Sequence, residues 1–253
     1  MKNSAFPSRT NRGFTLIELL VVIAIIGILA AILLPVLSAI KEKEKRITAR
    51  REIAQIAFAI SKYETDYNHF PISSTARNSV AANGDDFTYG GTYGTYSVFA
   101  SGSYRATNSE VMAVLLDLER FSDGTATINT GHVLNTQKTP LLNAKTATDS
   151  NSPGIGPDGV YRDPWGSPYV ITIDANNDEK TRDAFYQLPA VSQDPANPNG
   201  GLNGLIKKTL PNGMTVFEAN SSVMVWSAGP DKAVNPSVAA NKGANKDNIL
   251  SGQ

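Results

Sequence analysis

The feature that most constrains this chain is a run of nineteen residues without a charge, Leu19 to Leu37, directly behind a lone carboxylate, Glu18. As an α-helix the run rises roughly 28 Å, close to the hydrocarbon thickness of about 30 Å. A secretory signal has a shorter apolar core of about 7–15 residues and a small-residue cleavage site after it. Leu37-Ser38-Ala39 matches that site poorly, so the segment is expected to be kept as an anchor. An acidic side chain at the edge of such a segment is expensive and marks a functional position.

Charge alone leaves the orientation open. Lys2, Arg9 and Arg12 precede the span, whereas Lys41, Lys43, Lys45, Arg46, Arg50 and Arg51 follow it. The Lys/Arg count therefore favours an exported N-terminus, and the interleaved Glu42, Glu44 and Glu52 contribute little to that rule. Gly27 and Ala31, with Ala24 on the same face, allow close helix approach in apolar surroundings. Beyond the span, Ile40, Ile47, Ile53, Ile56, Ala57, Ile60 and Tyr63 keep a three-four spacing among charged residues. The helix is thus expected from Phe14 to Tyr67, about 80 Å long, with the second half lying on a globular domain. Asn68 and then Pro71 supply its stop signal.

At 253 residues and formal net charge zero, the chain has room for the anchor and one globular domain. The absence of a basic cluster outside the juxtamembrane stretch argues against nucleic acid as a partner. There is no cysteine, which excludes disulfides, thiolate metal sites and a lipid-modified cysteine.

The residues Gly13-Phe14-Thr15-Leu16-Ile17-Glu18 and the apolar sequence through Ala31 resemble, nearly residue for residue, the processing and assembly segment of type IV pilins and type II secretion pseudopilins. The resemblance implies that a prepilin peptidase cuts after Gly13 and that Phe14 becomes an N-methylated first residue. It also implies a cytoplasmic N-terminus and an exported C-terminal domain. The residues are compatible with this. Gly13 lets an extended backbone lie flat in a protease cleft. Glu18, four residues beyond Phe14, lies on the same side of a helix. In a filament its carboxylate would need a cation, which a neighbouring subunit's terminal amine could supply.

The expected organisation is a leader (1–13), a transmembrane and assembly helix (14–40), its amphipathic continuation (41–68), and a globular domain with large loops (69–253). Residues 73–108 are rich in Gly, Ser, Thr, Asn and Tyr and read as an elaborated loop with a hairpin. Thr107-x-x-Glu110 reads as a capping box opening a short helix. Asp163-Pro164-Trp165-Gly166 reads as a turn with an aromatic anchor and resembles a pseudopilin signature. Strands are expected at 170–174, 185–188 and 222–226, giving an α+β fold with a small antiparallel sheet on the long helix.

Nothing in the chain suggests an enzyme. His69 and His132 have no partner at catalytic or zinc spacing and are expected at the surface or as caps. Asp174-x-Asn176-x-Asp178 has the alternate spacing of a calcium loop but lacks its glycine and distal glutamate, so a polar turn is expected. The stretch Ser227-Ala228-Gly229-Pro230-Asp231, with Asn245 to Ile249, resembles the C-terminal calcium loop of the major pseudopilin. By that resemblance Asp231 and Asp247 would be carboxylate ligands of calcium, with Ser227 and backbone carbonyls completing the shell. Asn245 and Asn248 stand where acidic residues are frequent, and fewer carboxylates weaken affinity.

The function implied is that of a structural subunit of a type II secretion pseudopilus. Its partners would be the peptidase, identical and related subunits, and an assembly platform in the inner membrane. A type IV pilus subunit is the nearest alternative, and a membrane-anchored binding protein that never polymerises is the more distant one.

Overall fold

The computed structural model describes residues 13–81, 86–100 and 103–252. Residues 1–12 of the leader, and 82–85, 101 and 102 of the Gly/Tyr-rich insertion, lie outside the described residues. The chain divides into two compact units, residues 1–44 and 45–253.

The first unit contains the start of helix α1 (Leu16–Tyr67). Every large apolar side chain from Leu16 to Leu37 is exposed. Pro35 sits inside the helix, where it withholds one backbone donor. The Ser38 hydroxyl bonds to the Pro35 carbonyl at 2.8 Å.

In the second unit α1 buries Ala49, Ile53, Ile56, Ala59, Ile60 and Tyr63, a three-four stripe that lies against the domain core. Ile47 departs from expectation. It is 57% exposed, because it lies roughly opposite Ala49 and Ile56 around the helix. Asn68 ends the helix at φ 57°, and its amide bonds to the Glu64 carbonyl at 2.7 Å, the left-handed cap expected.

A short helix α2 (Ser74–Ala81) follows where only loop was expected; the Ser73 hydroxyl accepts from the Ala76 amide at 3.1 Å and caps it. Next come β1 (Phe87–Tyr89), the hairpin β2 (Gly91–Tyr93) and β3 (Tyr96–Val98), and helix α3 (Ser109–Leu115). Further along are the pair β4 (Gly154–Ile155) and β5 (Tyr161–Arg162), β6 (Val170–Ile173) and one turn of helix, α4 (Pro189–Ser192). A hairpin of β7 (Ile206–Thr209) and β8 (Thr215–Glu218), then β9 (Val223–Ser227) and β10 (Ile249–Leu250), complete the fold.

The main sheet has the order β1-β6-β9-β10, and all its neighbours are antiparallel. Successive side chains point to opposite faces. Phe87, Tyr89, Ile171, Ile173, Val223, Val225 and Ile249 join the core that holds α1 and α3. Val170, Met224, Trp226 and Leu250 join a second core with Phe185, Tyr186 and Phe217. Both faces are therefore covered, which is why β6 and β9 are buried at every position. The architecture is α+β, as expected.

Two expectations are corrected. Residues 185–188 form a turn, because the Asp183 carboxylate accepts from the Phe185 and Tyr186 amides at 2.9 and 2.8 Å and curls the chain. Helix α3 starts at Ser109 without a side-chain cap. Glu110 faces the Ser73 and Tyr104 hydroxyls instead of closing a box with Thr107.

Candidate functional site

The N-terminal segment is built by a reciprocal cap. The Thr15 amide and hydroxyl both donate to Glu18 Oε2 at 2.8 Å, and the Glu18 amide donates to the Thr15 hydroxyl at 3.3 Å. This is a capping box, Thr-x-x-Glu, which satisfies free amides at the helix start. The spacing was open to sequence reading, which placed that motif at Thr107 and missed it here. Both bonds that Thr15 gives the Glu18 side chain use Oε2, and the side chain is exposed. Phe14 is 79% exposed, and no atom approaches the position a Cβ would occupy on Gly13 within 4 Å.

In the second unit the Asp163 turn is a buried polar centre. Its Oδ1 accepts from the Trp165 and Ser167 amides, both at 2.9 Å, and its Oδ2 accepts from the Ser227 hydroxyl at 2.6 Å. Burial pushes the carboxyl up to about 6, against the pull of Ser227 and these amides. Gly166 has φ 91°, and a Cβ there would lie 2.4 Å from the Asn151 carbonyl oxygen, so only glycine closes this turn.

Asn108 holds both flanks of the turn. Its Nδ2 donates to the Tyr161 and Tyr169 carbonyls at 2.9 and 2.8 Å, and its Oδ1 accepts from the Tyr161 amide at 2.8 Å. The Tyr169 hydroxyl then reaches α1, donating to Glu52 Oε2 at 2.6 Å. Burial raises the Glu52 carboxyl, while Tyr169 and Tyr161 pull it down. The Asp-Pro-Trp-Gly turn is thus a joint between sheet and helix, and its role is structural.

Asp231 and Asp247 come together at the base of the C-terminal loop. Gly229, at φ 74°, brings its backbone so close to Asp247 that a Cβ would lie 2.4 Å from the Asp247 carbonyl oxygen. Burial pushes the Asp247 carboxyl up, and the charge of Asp231 adds to this. Asp247 Oδ1 and Asn248 Oδ1 are buried without a hydrogen-bond partner. Asp231 Oδ1 accepts from the Ala233 amide at 3.0 Å. Ser227 is placed elsewhere, with its hydroxyl proton on Asp163 and its oxygen accepting from the Gly229 amide. Among the described residues no three His, Cys, Asp or Glu side chains stand together as a metal centre.

The other acidic loop is a turn, as expected. Asp174 accepts from the amides of Asn176, Asn177, Asp178 and Glu179. His132 does have carboxylate company, contrary to expectation. Its Nδ1 is 2.7 Å from Asp117 and its Nε2 3.1 Å from Glu119, residues that the chain turning back at Thr127–Thr130 brings opposite it.

The similarity to known proteins lies in the N-terminal segment. Residues 8–34 match the family model described as the prokaryotic N-terminal methylation motif. The chain is 39% identical over 70 residues to the type II secretion system core protein G of Escherichia coli (strain K12), covering 28% of this chain and 48% of that protein. It is 43% identical over 61 residues to the protein of that name from Pectobacterium carotovorum, covering 24% and 39%. It is also 39% identical over 70 residues to the type IV major pilin protein PilA of Myxococcus xanthus, covering 28% and 31%. The chain thus spans less than half the length of these relatives. No solved structure matches it.

Proposed function

We propose that this chain is a structural subunit of a type II secretion pseudopilus, cut after Gly13 by a prepilin peptidase, N-methylated at Phe14, and polymerised through α1. One observation carries the reading: a methylation motif opens a helix whose large apolar side chains from Leu16 to Leu37 are all exposed. Such a surface needs lipid before assembly and neighbouring helices after it. In the membrane the N-terminus would be cytoplasmic and the second unit exported. The chain is then a substrate of the peptidase and a mechanical part, not an enzyme. Its partners would be copies of itself, related subunits and an inner-membrane platform.

Glu18 is the assembly residue in this reading. Its exposed carboxylate would meet a neighbour's terminal amine while Oε2 holds the cap. Glu18→Ala should leave cleavage intact and reduce sedimentable filaments at least about tenfold, the factor for about 1.4 kcal/mol in an equilibrium. Filaments at unchanged yield would refute this role. The type IV pilus reading stands second, on the 39% identity to a major pilin over the same segment.

The C-terminal loop is proposed to bind calcium. The buried, unpartnered Oδ1 atoms of Asp247 and Asn248, with the Asp231 charge acting on Asp247, suit a hard cation that takes oxygen ligands. Asp231 and Asp247 would be its carboxylate ligands. The Ser227 hydroxyl, committed to Asp163, is left out of the set.

A further inference from the structure

The turn between β8 and β9 carries Asn220-Ser221-Ser222. An asparagine followed two residues later by serine or threonine, with no proline between, is the acceptor pattern for N-linked carbohydrate and belongs on a surface loop of an exported protein. No other asparagine of the chain opens this pattern; Asn235-Pro236-Ser237 has the spacing but carries the excluded proline. Three residues can fall into such an order by chance, so the placement of their side chains is the second, independent observation. From the two together we propose that Asn220 is a glycosylation site that takes an oligosaccharide from a lipid-pyrophosphate donor.

The backbone of the turn is pinned. Ala219 exchanges both its backbone hydrogen bonds with Thr181, at 2.8 and 3.0 Å, and the Ser222 carbonyl accepts from the Asp174 amide at 2.9 Å. The Thr181 hydroxyl donates to the Ser221 carbonyl. The middle side chain is used inside the turn, the Ser221 hydroxyl donating to the Val223 carbonyl at 3.0 Å. The two groups the pattern requires are left over. Among the described residues neither the Asn220 side-chain amide nor the Ser222 hydroxyl forms a hydrogen bond, and Asn220 is exposed. Exposed asparagines of other turns are committed to their own backbone: Asn197 accepts from the Asn199 amide and Asn212 from the Met214 amide. Space is present as well. Surface hollows of about 430 and 520 Å³ meet at this turn, with Asn220 and Ser221 lining both. The amide can therefore enter an enzyme's cleft while β8 and β9 stay folded. In the transfer, Asn220 Nδ2 bonds to the anomeric carbon of the first sugar and loses one proton. The bond from that carbon to the pyrophosphate oxygen breaks, and the lipid pyrophosphate leaves.

The inference rests on the reading that the second unit is exported, since transfer of this class takes place outside the cytoplasm. Trypsin places Asn220 on the peptide from Thr209 to Lys232. In the full chain recovered from its native membranes, that peptide should carry a carbohydrate mass that fragmentation locates on Asn220. Asn220→Gln should abolish it, Ser222→Ala should lower its occupancy at least tenfold, and Ser222→Thr should keep it. These side chains hold nothing in the fold, so each variant should melt as the unmutated chain does. An unmodified peptide in a chain that begins with N-methylated Phe14 would overturn this inference and leave the export reading intact. Carbohydrate that survives Ser222→Ala, or that sits on a serine or threonine, would overturn it too. An unmodified peptide in a chain that begins at Met1 would remove the export reading, and this inference with it.

Discussion

At Glu18 the carboxylate closes the start of its own helix, with Oε2 accepting from the Thr15 amide and hydroxyl. In the second unit Asp247 has a buried oxygen with no donor, and the charge of Asp231 acts on its carboxyl. An unpaired buried oxygen is unfavourable, and the like charge of Asp231 makes it more so. A cation between them would relieve both. Calcium should therefore raise the melting temperature of the detergent-purified chain by several degrees, and Asp231→Ala should remove the rise. Equal melting with calcium and with chelator would refute the site. The sequence exposed both aspartates through their resemblance to a known loop. It did not expose the fate of Ser227, because the partner that takes its proton, Asp163, lies 64 residues away.

At the scale of elements, local signals were legible where they acted alone and misleading where a distant partner intervened. The stop at Asn68 and the Asp163 turn depend on their own backbone and were read correctly. Thr107-x-x-Glu110 has the same letters as Thr15-x-x-Glu18, yet Ser73 and Tyr104 draw Glu110 away. Residues 185–188 have strand composition, and Asp183 turns them into a bend that buries Phe185 and Tyr186. Strand β10 is two residues long and has no signal apart from its partner β9. Asn108 illustrates how much such long-range bonds matter, since its side chain holds Tyr161 and Tyr169 through three bonds. At about 1 kcal/mol each, Asn108→Ala should destabilise the chain by about 3 kcal/mol, read as a shift in the denaturant midpoint. A change below about 0.5 kcal/mol, the range of ordinary surface substitutions, would show that the clamp is not needed.

For the whole molecule, the absence of cysteine leaves stability to the two apolar cores and to buried polar centres. Two of those centres titrate above the usual carboxylate range. Burial pushes Asp86 up to about 7 and Asp163 up to about 6. Between the ordinary carboxylate range near 4 and these values, the folded chain holds more protons than the unfolded one. Stability therefore falls as pH rises through that window and levels off above it. The chain, measured in chelator, should melt at least about 3 °C higher at pH 5 than at pH 8, since 1 kcal/mol shifts a domain of this size by about 2–4 °C. Asp86→Asn should reduce that difference. A melting temperature that rises with pH over the window would contradict the burial argument. Charge counting could not reveal this, because zero net charge says nothing about which carboxyls are buried.

The most direct test of the central claim is the N-terminus of the protein recovered from its native membranes, read by intact-mass and peptide mass spectrometry. A chain that begins with N-methylated Phe14 is the expected result. A chain that begins at Met1, or after Ala39, would contradict prepilin-type processing and the filament built on it.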